Sequence, residues 1–387
     1  MAKAIEIPDC GSVPAADGAL VVLRTRLNEM LSFRDAALDW SDIEGVHDMR
    51  VATRRLRSIS RDFARYVPKV PLKKFRRAVK RLADALGEVR DEDVALAAVE
   101  ESARQAPPEL RAGFERVAAP KRARRKRARV QLFGALEAET FAAFGEELSA
   151  FLNQRSARQA ERRAGQSRSE DSQSQAETVE PAADDADAGG RDEEQADVSA
   201  LTFREAGREV VERHVRQLVK QSASLFRPHD SEGLHDLRIA AKELRYSLEL
   251  FSGCWGGRLK PLAKEIARLQ SSLGHVHDRD IWLAELGKRL AIDHDKSAFA
   301  SSPAVSDASA VERRAAFWLF RRYMAERAEH HAAALARWHA WENYKLLAHV
   351  REVLRPGGEN VGPGAEHSSP GVAAAHAAAP EAHERGG

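Results

Sequence analysis

The chain repeats itself. VHDMRVATRRLRS, beginning at Val46, returns as LHDLRIAAKELRY at Leu234 with six of thirteen residues identical. RLADALGEVRDEDV, beginning at Arg81, returns as RLQSSLGHVHDRDI at Arg268 with seven of fourteen identical. The offsets are 188 and 187, so order and spacing are kept together. Such a chain is constrained to two equivalent folded units, expected at 18–152 and 200–355.

Both units read as helix. Val46, Met49, Ala52, Leu56, Ile59 and Phe63 recur at intervals of three and four, and strand-like alternation is absent. Pro68 and Pro71 end that helix, and a second is expected over Leu72–Leu86 with Phe75, Val79 and Leu82 on its apolar face. Gly87 and Gly274 are expected as helix C-caps, with Asp91 and Asp278 near the start of the next helix. The six tryptophans, Trp40 among them, are expected in the core or at bundle ends. The expected architecture is all-α: two pseudo-twofold-related helical bundles from an internal duplication, joined by a disordered linker.

That linker, 153–199, is rich in Gln, Ser, Ala and acids and too poor in large apolar residues to bury a core. Residues 170–197 carry eleven acids and one base. The tail at 356–387 and the first 17 residues are also expected to be loosely ordered. The two cysteines, Cys10 and Cys254, form neither a metal-ligand spacing nor a disulfide framework, which fits a reducing cytoplasm. No stretch approaches the roughly 18 apolar residues of a membrane helix, so no membrane partner is expected.

Positive charge is concentrated at 46–81, where thirteen Lys/Arg face only Asp48 and Asp62. On a helix, His47, Arg50, Arg54, Arg57 and Arg61 share an arc of about 80° beside the apolar stripe. In the second unit His235, Arg238, Lys242 and Arg245 take the same angles, while Glu249 replaces Arg61. A solvated face is the plain explanation of one such helix, but it does not account for His, Arg, Arg/Lys and Arg recurring at matched offsets. The next helix carries Lys73, Arg77 and Arg81, with Lys80 beside them, and the second unit repeats the spacing in Lys260, Lys264 and Arg268. A third basic run, KRARRKRAR at 121–129, places Arg122, Arg125 and Arg129 on one arc, with only a loose counterpart around Arg313, Arg314, Arg321 and Arg322.

These cations form a track for a polyanion. Single-stranded nucleic acid calls for aromatic platforms beside the charges, yet 46–81 holds only Phe63, Tyr66 and Phe75, two of them on the apolar face. Duplex DNA calls for a recognition helix with groups for base edges, which is not visible. A phosphate polymer without bases fits better.

The paired segments HDMRVATRRLR and HDLRIAAKELRY, each followed by LGEVRDEDV or LGHVHDRDI, resemble the CHAD family, the conserved histidine α-helical domain. The resemblance covers about 18–150 and 200–350. It implies two helical bundles whose basic helices line a central groove or pore that binds inorganic polyphosphate. It also implies a cytoplasmic place on polyphosphate granules, with granule-associated proteins as possible partners, no cofactor and no catalytic activity. The Glu-x-Glu-x-Lys motif of the triphosphate-tunnel hydrolases fused to many relatives is absent here.

Two rival readings stand beside it. One is a nonspecific nucleic-acid-binding protein using the same cations. The lesser one is a metal-dependent phosphohydrolase built on His47-Asp48, His235-Asp236 or His277-Asp278, for which no further ligand set recurs in both units. His47 and His235 are expected either to add charge to the groove as pH falls from 8 to 6 or merely to bond a carbonyl at a helix start.

Overall fold

The computed structural model describes residues 4–7, 10–41, 43–66, 69–137, 139, 141–154, 157, 201–297 and 303–355. The expected acidic linker beyond 157 and the expected tail at 356–387 lie outside the described residues.

The described residues are helical apart from short connections and an isolated bridge between Pro14 and Thr202. In chain order the α-helices are α1 (Ala15–Ser32), α2 (Arg34–Leu38), α3 (Ile43–Asp62), α4 (Lys69–Gln105), α5 (Arg111–Ala135), α6 (141–154), α7 (Phe203–Gln221), α8 (Ser231–Leu250), α9 (Leu259–Ser297), α10 (Pro303–Asn343) and α11 (Leu346–Val353). α3 and α8 have 20 residues each, and the helices that follow them have 37 and 39.

Local chemistry sets several ends. Thr202 and Glu205 form a capping box at α7, and Asp230 accepts from Gly233 N at the start of α8. Pro71 sits in the first turn of α4, where its missing N–H costs no intrahelical bond.

Gly87 and Gly274 do not end helices. α4 and α9 run straight through them, and Asp91 and Asp278 lie in mid-helix. The glycines serve packing: a Cβ at Gly87 would stand 3.9 Å from Arg50 Nε, and one at Gly274 would stand 3.6 Å from Arg238 Nε. Anything longer than a methyl would run into the guanidinium, and this clearance offsets the helix propensity that glycine gives up.

The halves do not keep separate cores. One apolar cluster gathers Met49, Leu56 and Phe63 with Phe203, Leu237, Leu244 and Phe251. Phe63 lies 5.6 Å from Phe203 and 6.0 Å from Phe251 between ring centroids, pinning the end of α3 into the second half. A smaller cluster joins Leu96, Phe114 and Val117 to Trp282, Leu286 and Leu319, where α5 packs on α10. The N-terminal segment is tied down as well, against expectation. Cys10 is buried, Ile5 O accepts from Arg26, and Phe203 N donates to Val13 O. Hydrogen bonds to the second half hold a segment whose composition suggested a loose end. No described helix is long and apolar enough to cross a membrane.

Candidate polyanion-binding site

The apolar stripe of α3 positions its cations. Val46, Met49, Ala52, Leu56, Ile59 and Phe63 are all buried, and the adjoining basic arc emerges at the edge of the core, half-buried from His47 to Arg57 and exposed at Arg61. The same holds on α8, where Leu237, Ala241, Leu244 and Leu248 are buried. α3 touches α8, and each packs on its own long helix, α4 or α9. Between them opens a cleft of about 700 Å³.

His47, Arg50, Arg54 and Arg57 line this cleft from α3, and His235, Arg238 and Lys242 line it from α8. The structure therefore brings seven of the expected residues together from both halves. It adds Arg90, Lys121 and His277, together with acids that include Asp91, Asp278 and Glu285. His277 was read only as part of a His-Asp pair. Its position is equivalent to Arg90 at the 187 offset, the spacing that marks both as neighbours of the histidines on α3 and α8.

The cations are crowded and unevenly compensated. Arg50 Nη2 donates to Asp91 Oδ1 at 3.0 Å. Its counterpart Arg238 makes no such bond to Asp278, and its Nε is buried without a partner. Among the described residues no carboxylate stands within 4.0 Å of the charged atoms of Arg54, Arg238 or Lys242. Burial first, then Arg54, Arg61 and Arg238, lowers the Lys242 ammonium to about 7. Burial, with Arg238 and His235 behind it, lowers His277 to about 4. Burial lowers His47 and His235 as well and raises Asp278. The Nδ1 atom of His47 is buried without a hydrogen-bond partner, so it is not bonded to a helix-start carbonyl.

A second cavity, also about 700 Å³, lies between α3 and the start of α4 and shares Arg57 with the cleft. Arg61 and Arg65 line it from the α3 side, and Lys73, Arg76, Arg77 and Lys80 from α4. Arg65 and Arg76 escaped the sequence reading because they fall outside the repeated pattern. Arg81 is exposed and lines neither cavity.

Other expected residues lie elsewhere. Arg245 stacks over Tyr246 at 4.8 Å, stands 3.7 Å from Glu249, and lines neither cavity. Lys260 bonds Glu6 at 3.0 Å, Arg268 bonds Glu265, and Lys264 is exposed. The basic run of α5 is largely neutralised. Arg122 pairs with Glu115 and Glu100, Arg125 with Asp93, and Arg129 donates to Trp40 O beneath the Trp40 ring. These three arginines border a separate cavity of about 270 Å³. Trp40 is half-exposed there, outside the core, and covers the Arg129 guanidinium. From this run only Lys121 reaches the cleft, bonding Glu285 at 2.6 Å. Glu44, His47 and Asp48 bring three potential metal-ligand atoms within 4.8 Å of one another at the cleft margin.

No curated protein sequence matches the chain significantly. Among the solved structures that share the fold are a plant and a bacterial protein. The CHAD domain from the plant Ricinus communis is 20% identical, with 86% of this chain and 96% of that one covered and a TM-score of 0.51. PptA from Streptomyces chartreusis is 14% identical, with 84% and 99% covered and a TM-score of 0.54. The CHAD domain family profile matches residues 21–287, which span α3, α4, α8 and most of α9. With well over half its length matched and the helices of the cleft inside the matched span, the chain belongs to the CHAD domain family.

Proposed function

We propose that the chain binds inorganic polyphosphate in the cleft between α3 and α8, and that it does so without turning the polymer over. The observation that carries this reading is Lys242. It is a half-buried ammonium beside Arg54, Arg61 and Arg238, with no carboxylate in ion-pair range among the described residues. A protein folds around such a cluster at a cost, and a ligand carrying many phosphate oxygens relieves it. Membership of the CHAD domain family is consistent with this ligand. The two halves are taken as duplicated units related by a pseudo-twofold axis, each contributing one basic helix. The cell site is taken as cytoplasmic polyphosphate granules.

Calorimetry with polyphosphate and duplex DNA at two salt concentrations tests the reading. Tight polyphosphate binding that Arg54→Glu/Lys242→Glu abolishes, with DNA much weaker at the higher salt, supports it. Equal affinity for both polymers would favour the nucleic-acid reading, and an unaffected variant would place the site outside the cleft. The hydrolytic reading rests on the Glu44, His47 and Asp48 cluster. Orthophosphate release from polyphosphate with manganese, abolished by His47→Gln, would establish it in place of simple binding.

A further inference from the structure

The cations that line the cavity between α3 and α4 are not all matched at the equivalent positions of the second half. Of the cations that line it, Arg57 and Lys73 map to Arg245 and Lys260, and Arg77 maps to Lys264. The other four positions become Glu249, Gly253, Ala263 and Ala267. Seven cations are thus replaced by three cations and one acid. The surviving cations of the second half are also engaged or turned away: Arg245 lies near Glu249, Lys260 bonds Glu6, and Lys264 lines neither cavity.

In the first half Arg61, Arg65 and Lys80 are paired with Glu243, Glu209 and Asp84, but Arg57, Lys73, Arg76 and Arg77 have no carboxylate within 4.0 Å among the described residues. The cavity lining contains no acid, whereas the cleft mixes cations with Asp91, Asp278 and Glu285. Arg57 lines both spaces, so one anionic chain can pass from one into the other without leaving cationic surroundings.

Resting on the reading of the cleft as the polyphosphate site, we propose that the α3/α4 cavity is a second anion-binding subsite. It receives polymer that overruns the cleft, on the first-half side alone. The polyanion track is one-sided although the fold is built from matched halves. Chains short enough to fit the cleft gain nothing from the cavity, and longer chains gain affinity from it. The cavity is thus a length-selecting element.

The test uses the full chain, tripolyphosphate and long-chain polyphosphate, with calorimetry and thermal unfolding of every variant. Lys73→Gln/Arg77→Gln and Lys260→Gln/Lys264→Gln remove the same charge at equivalent positions. The first pair is expected to weaken long-chain binding roughly tenfold and to lower the salt dependence of that binding, while leaving tripolyphosphate within about twofold. The second pair is expected to leave both ligands within about twofold. Equal loss of long-chain affinity in the two pairs would overturn the proposal, since net charge alone would then account for it. An equal fold-loss for short and long ligands in the first pair would also overturn it. Failure of the underlying reading looks different: Arg54→Glu/Lys242→Glu would then bind both ligands as well as the unaltered chain does.

Discussion

The Nδ1 atoms of His235 and His277 lie 3.1 Å apart, with the rings 4.2 Å between centroids. One ring donates its Nδ1–H and the other accepts, so the pair is complete when both rings are neutral. Burial first, then Arg238 and the His235 ring, disfavours a further proton and lowers His277 to about 4. In the unfolded chain the same histidine takes its proton near 6.5. Between these values the unfolded state binds more protons, so stability is lost as pH falls. The melting temperature is expected to drop between about pH 6.5 and pH 4, and His277→Asn to flatten that slope. Thermal unfolding across this range checks it, and an unchanged slope in the variant would reject the assignment.

Lys242 is expected to trade stability for binding. With a folded pKa of about 7 and an ordinary unfolded value above 10, it costs folding free energy at neutral pH, and the cost declines as pH rises from 7. Lys242→Met should raise stability at pH 7 by about 1–2 kcal/mol, measured by urea denaturation. The same variant should weaken tripolyphosphate binding roughly tenfold.

Lys242 also relocates the expected pH dependence of binding. His47 and His235 are lowered, so the group poised to titrate between 8 and 6 is the lysine. A bound polyanion raises its pKa, so affinity should increase as pH falls toward about 7 and level off below. Calorimetry in buffers of different ionisation enthalpy should show proton uptake on binding at about pH 8 that Lys242→Met removes.

Gly87 and Gly274 separate helix propensity from clearance. Gly87→Ala adds a methyl at ordinary contact distance from Arg50 and should stabilise by about 0.5–1 kcal/mol without affecting binding. Gly87→Leu should displace the Arg50 guanidinium from Asp91 and weaken binding. Denaturation and calorimetry on the two variants distinguish these effects.

Glu29 supports α3 from behind. It is buried, bonding Arg26 at 2.6 Å and Arg55 at 3.0 Å, both buried themselves. Glu29→Ala removes the buried carboxylate that both guanidinium groups share and should cost about 3–5 kcal/mol in chemical denaturation.

The sequence by itself determined what depends on neighbours along the chain. Three- and four-residue spacing on α3 and α8 put Leu56 and Leu244 in the core, and with them His47, Arg50, Arg54, His235, Arg238 and Lys242 at the cleft edge. That reading succeeded because helical period and burial follow from local pattern. Tertiary structure decided which cations remained available. Arg125 is answered by Asp93, Arg61 by Glu243 and Lys260 by Glu6, partners 32, 182 and 254 residues away. It also decided the role of Gly87, where a local cap signal gave way to an arginine on another helix. It decided the shared core around Phe63, Phe203 and Phe251 in place of two separate ones. Charge compensation and clearance depend on distances through space, and a repeat in sequence does not oblige both copies to meet the same neighbours.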